Sequence, residues 1–162
     1  MPERLRPWLV LALFVALCLA VGGVGSIITA ASRESWYATL RRPDWAPPGR
    51  VFGPVWTTLY IAMAVAAWLV WRRLRFPGAA VPLALFGAQL ALNLAWSAIF
   101  FGLRSPGGAF LEIIALWAAI LATLVAFWRV SRPAGWLFVP YLLWVTYAAA
   151  LNFAIWRLNP TA

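Results

Sequence analysis

The chain has no histidine, no lysine, one cysteine and four acidic residues among its 162 positions. Without histidine there is no histidine-based metal site and no catalytic triad that uses an imidazole. A lone Cys18 excludes a disulfide framework within the chain, and its place inside an apolar run makes it a small packing residue. Charged residues make up 10% of the chain, far from the roughly one quarter of a soluble domain. The net charge of +9 would suggest nucleic acid in a soluble protein. Here the arginines stand at the ends of apolar runs, where they anchor helices at lipid headgroups, so nucleic acid is not an expected partner.

What is abundant is apolar and aromatic: 65% hydrophobic residues and 12 tryptophans. Five apolar runs, at 8–28, 53–71, 81–101, 107–128 and 136–156, are each long enough to cross about 30 Å of hydrocarbon. The expected fold is all-α: residues 1–162 form one integral membrane bundle of five transmembrane helices, with a long loop at 30–52 between the first two. Thr29-Ala30-Ala31 resembles a signal-peptide cleavage site, but the first run is long enough to span and is expected to stay as the first helix. Arginine counts differ little between the two sides. Arg4, Arg6, Arg72, Arg73, Arg75, Arg129 and Arg132 lie on the N-terminal side, and Arg33, Arg41, Arg42, Arg50, Arg104 and Arg157 on the other, a slight lean towards a cytoplasmic N-terminus.

The most particular stretch is Pro43 to Tyr60. Pro43, Pro47 and Pro48 forbid a helix and shape a loop, and Pro54 sits where a helix start tolerates proline. Trp56, Tyr60, Met63 and Ala67 then share one helical face. In the third run Gln89, Asn93, Trp96 and Phe100 share a face, opposite Ala84, Ala88, Ala91, Ala95 and Ala98. Polar groups in hydrocarbon must point at protein or water, so the amide face looks inward and the alanine face is free to meet another helix. The fifth run aligns Tyr141, Trp144, Ala148, Asn152 and Ile155. Glu112, near the start of the fourth run, is read as reaching headgroups or Arg104. The inward aromatic and amide groups suit a pocket for a flat hydrophobic ligand, and equally suit plain interhelical packing with interfacial aromatics.

A resemblance favours the pocket. The Pro43–Tyr60 stretch, with Trp36-Tyr37, Gln89-Leu90-Ala91-Leu92-Asn93, Trp96, Phe100-Phe101-Gly102, Pro140-Tyr141-Leu142-Leu143-Trp144, Leu151-Asn152 and Trp156-Arg157, resembles the translocator protein (TspO/MBR) family over nearly the whole chain. The resemblance implies a five-helix cavity that binds porphyrins such as protoporphyrin IX, sterols including cholesterol, and isoquinoline or benzodiazepine drugs, under a lid formed by the first loop. It implies ligand contacts at Tyr37, Trp45, Trp56, Tyr60, Asn93, Trp144 and Ala148. The inward faces and the rigid loop add Pro47, Gln89, Trp96, Tyr141 and Asn152. Arg50 stands where the family usually has tryptophan, and pairs with a porphyrin propionate or anchors the loop. The sterol motif is altered: Leu151 and Arg157 keep its spacing, but Phe153 replaces the tyrosine, so sterol binding is expected to be weaker than porphyrin binding.

The expected function is therefore a membrane receptor or transporter for tetrapyrroles and similar flat ligands, acting in stress or oxygen-linked regulation and residing in a bacterial membrane. No cofactor is required; porphyrin is the ligand. Light-dependent oxidative porphyrin breakdown at Trp56 and Trp144 is the enzymatic alternative, and a structural membrane protein with a vestigial pocket is the third. The resemblance also implies a homodimer through the alanine face of the third helix.

Overall fold

The computed structural model describes residues 7–160, so Arg4 and Arg6 lie outside the described residues. Five helices account for most of them: α1 Pro7–Ser32, α2 Phe52–Gly78, α3 Ala80–Ser97, α4 Pro106–Val130 and α5 Arg132–Leu158. Each is long and apolar enough to cross a membrane. At about 1.5 Å per residue, 18 residues rise about 27 Å and 27 residues about 40 Å, which brackets the hydrocarbon layer. The helices close in the order α1, α2, α5, α4, α3, with α3 returning to α1.

Several boundaries move relative to the sequence reading. α1 runs on through a π turn, Arg33–Tyr37, so the irregular loop is shorter than 30–52. Ser32 holds that extension by donating to the carbonyl of Phe101 at 2.8 Å inside the bundle. Phe101 itself lies in a second π turn, Ala98–Gly102, that ends α3. α2 continues past Trp71 until Arg75 and Phe76 leave helical geometry. There Arg72 and Arg75 stack over Trp68 and Trp71, at 4.6 and 4.1 Å from the ring centres. Such cation–aromatic pairs suit a membrane boundary, since ring and guanidinium both tolerate the headgroup region.

The α4–α5 hairpin is closed by glycine. A Cβ on Gly135 would come within 2.5 Å of Trp128, and one on Gly107 within 2.8 Å of Trp156, so each end of the hairpin needs the missing side chain. Ser105 caps α4 by accepting from the Gly108 N–H at 3.3 Å, with Pro106 at the first turn. On α3 the faces divide as the periodicity predicts: Gln89, Asn93 and Phe100 are buried, while Ala84, Ala88 and Ala91 are exposed. Ala95 and Ala98 are half-buried, which narrows the free alanine face to its first three members.

Glu112 lies off the buried stripe of α4. Neither carboxylate oxygen has a hydrogen-bond partner among the described residues, and both are buried by surrounding protein, so it does not reach Arg104 as the sequence reading had it.

Candidate functional site

Between the helices, towards the end that carries the α1–α2 loop, lies a cavity of about 680 Å³, within the range of small-molecule sites. α2 supplies Phe52, Trp56 and Tyr60; α3 and its π turn supply Asn93, Trp96, Phe100 and Phe101; α5 supplies Trp144, Ala148 and Asn152. Ring packing fixes these walls. Trp96 stacks on Phe100 at 5.1 Å, Trp56 lies 5.6 Å from Tyr60, and Phe52 meets Trp144 edge-on at 5.9 Å.

The floor is a chain of hydrogen bonds. Tyr60 donates to the Asn93 amide oxygen at 2.6 Å, and the Asn93 amide nitrogen donates to the Tyr141 hydroxyl at 2.9 Å. Tyr141 donates to the Gln89 oxygen at 3.0 Å, and the Gln89 nitrogen points at the Met63 sulfur at 3.6 Å. In hydrocarbon each of these groups would be expensive unpaired, so the chain ties α2, α3 and α5 together at one depth. A second polar link works higher up. The Trp96 indole donates to the Asn152 oxygen at 3.0 Å, and Asn152 donates to the Pro106 carbonyl at 2.8 Å. By contrast, the Trp144 indole nitrogen is buried without a partner among the described residues.

Of the twelve ligand contacts expected from the sequence, eight line the cavity: Tyr37, Trp56, Tyr60, Asn93, Trp96, Trp144, Ala148 and Asn152. Four do not. Gln89 and Tyr141 face inward but form the sealed part of the floor, fully buried and spent on hydrogen bonds. Trp45 is turned outward by a tight turn in which Ala46 N–H bonds the Pro43 carbonyl. Its ring packs on Tyr147 at 5.7 Å, and its own carbonyl accepts from the Tyr147 hydroxyl. Pro47 lies with Pro43, Ala46 and Pro48 around a shallow separate depression.

The loop is tied down at several points. Asn159 accepts from the Arg41 N–H and donates to the Arg41 carbonyl, both at 2.9 Å, and Leu40 is buried among Phe100, Phe101 and Leu151. Arg50 sits exposed on the short turn Gly49–Val51, outside the cavity wall, so its substitution for tryptophan removes a ring without adding a charge to the site. Leu151, Phe153 and Arg157 do not come together: Leu151 lines the cavity, while Phe153 faces outward against Phe110 at 5.1 Å and Arg157 is exposed.

The largest contribution missed in the sequence comes from α1. Gly22, Gly25, Ser26 and Thr29 line the cavity, and a Cβ on Gly22 would press within 2.6 Å of the Tyr60 ring. The same small-residue stripe signals close helix packing and open space equally well. Arg33 and Arg42 were also missed as wall residues.

The arrangement has relatives. The TspO/MBR family model matches residues 14–157. The chain belongs to the TspO/MBR family. It is 47% identical over 156 residues to tryptophan-rich protein TspO of Chlorobaculum tepidum, covering 94% of this chain and 97% of the relative. It is 45% identical over 138 residues to the human translocator protein, covering 84% and 82%, and 41% identical over 150 residues to protein CrtK of Rhodobacter capsulatus, covering 92% of each. The five-helix membrane architecture is thus that of a TspO/MBR chain, and the aromatic walls are built on the motifs that carry the resemblance.

Proposed function

We propose that this TspO/MBR chain is a receptor or transporter in a bacterial membrane for flat hydrophobic ligands of the tetrapyrrole class, with protoporphyrin IX as the test ligand. The observation that carries this reading is a cavity of about 680 Å³ walled by the rings of Trp56, Tyr60, Trp96, Phe100 and Trp144. Aromatic faces supply affinity for a planar molecule, and the few polar groups set its orientation. The printed names of relatives, translocator protein and tryptophan-rich sensory protein, agree with handling or sensing a small molecule.

Titration of the purified chain with protoporphyrin IX, read by tryptophan fluorescence, tests the reading. Saturable quenching is expected, with affinity reduced about tenfold in Trp144→Phe, which loses part of the stacking surface. Failure of porphyrin to quench at any soluble concentration overturns it and favours a structural role.

A second reading, photo-oxidative breakdown of porphyrin, is kept because Trp56 and Trp144 both line the cavity. Illumination in the presence of oxygen would then bleach bound porphyrin in the wild type, and far less in Trp56→Phe or Trp144→Phe, while dark samples keep their spectra. Sterol binding is proposed to be the weaker activity, since Leu151 and Phe153 face different ways. A homodimer through α3 is proposed as well, on the exposed face of Ala84, Ala88 and Ala91.

A further inference from the structure

The cavity is charged at one end only. Arg33, on the π turn that ends α1, and Arg42, in the loop beyond it, both line the wall, and no acidic side chain does so among the described residues. Glu34 and Asp44 belong to the same segment but stand outside the lining; all four of these charged residues are exposed. The Arg42 guanidinium lies 5.4 Å over the Tyr37 ring, and that ring rests against Phe101 at 5.5 Å, so the cation is held on the aromatic rim. At the opposite end the floor hydrogen bonds are closed among Tyr60, Asn93, Tyr141 and Gln89. A molecule filling this space meets rings along its body and, at one edge, two arginines with no acidic residue in the lining among the described residues. A guanidinium presents its donors as a planar fork that fits a carboxylate, and the attraction strengthens where apolar walls lower the local dielectric.

We propose that Arg33 and Arg42 form an anion-recognition edge, by which the chain selects flat apolar molecules with carboxylates on one side over neutral molecules of the same shape. This rests on the tetrapyrrole reading above and adds to it a discrimination by charge. It moves the role considered for Arg50 to two residues that line the cavity.

The test compares protoporphyrin IX, a dicarboxylic acid, with its neutral dimethyl ester. Both are titrated against the full chain in phosphatidylcholine nanodiscs, whose lipid carries no net charge. The wild type is expected to bind the acid roughly tenfold more tightly than the ester, a preference that shrinks as salt is raised. Arg33→Gln with Arg42→Gln should weaken acid binding far more than ester binding and so remove the preference, and Arg50→Gln should leave both values as they were. The doubly lysine-substituted chain, which keeps the charges, should retain most of the preference and controls for folding.

Equal affinity for acid and ester in the wild type overturns the anion edge, and is the result expected if both arginines are committed to lipid phosphates. A preference that survives the double glutamine substitution, or is lost in Arg50→Gln, overturns it too. In these cases saturable ester binding leaves the tetrapyrrole cavity standing. Absence of saturable binding for both compounds overturns the cavity reading itself, and this inference with it.

Discussion

Asn93 carries two of the three links that join the floor of the cavity, accepting from Tyr60 and donating to Tyr141. Its replacement by leucine fills similar space but strands the Tyr60 hydroxyl, while Tyr141 keeps its bond to Gln89. A stranded donor costs about 1–3 kcal/mol, so Asn93→Leu should lower the thermal unfolding midpoint measurably in detergent. An unchanged midpoint would mean that the floor contributes nothing to stability. Gly22 makes a different kind of point at the same scale. Its Cα approaches the Tyr60 ring so closely that a methyl group would overlap it, and backbone on one side leaves the ring nowhere to go but the cavity. Gly22→Val is therefore expected to weaken protoporphyrin binding at least tenfold with the helical circular dichroism intact.

Among the elements, the α1–α2 loop is held by more than the stiffness of its prolines. Its main chain is clasped by Asn159 at the end of α5, its Leu40 is sunk among Phe100 and Phe101, and Tyr147 holds the Trp45 carbonyl. Order here comes from hydrogen bonds to α5 as much as from anything inside the cavity. Asn159→Ala removes the clasp, and the peptide bond after Arg41 becomes the place where this shows: limited trypsin digestion should cut there several times faster than in the wild type. Cleavage rates that match would mean Leu40 alone anchors the loop. Ligand should slow the same cut in the variant if the loop also covers the mouth of the cavity.

At the scale of the molecule, the bundle encloses one cavity within one chain, so self-association through the outside of α3 leaves the site intact. Lipid offers little hydrophobic drive for pairing helices, and close approach over small residues is what remains. Ala88 and Ala91 are exposed, as is the neighbouring Gly87, whereas Ala95 is half-buried. The double variant Ala88→Leu, Ala91→Leu should shift the protein towards monomer in mild detergent, by light scattering, with protoporphyrin affinity within about twofold of the wild type. A dimer that persists places the contact elsewhere, with the alanines of α4 the next face to test.

Composition and periodicity by themselves determined the five spans, the all-α class, and the division of α3 into amide and alanine faces. The reason is the solvent: hydrocarbon forces every backbone bond to close within a helix and every amide to turn inward, so azimuth can be read from a helical wheel. Even the split of Leu151 from Phe153 was legible, since two residues along a helix turn through about 200°. Depth was not legible. Gln89 and Asn93 lie on the same face one turn apart, yet Asn93 lines the cavity and Gln89 is sealed beneath it, because three helices converge between them. Nor could the chain order of an irregular loop show that Trp45 and Arg50 point away while Arg33 and Arg42 reach the rim. Outside a helix no fixed rotation relates one residue to the next, so only the packing of Leu40 and the clasp of Asn159 decided which side chains meet the cavity.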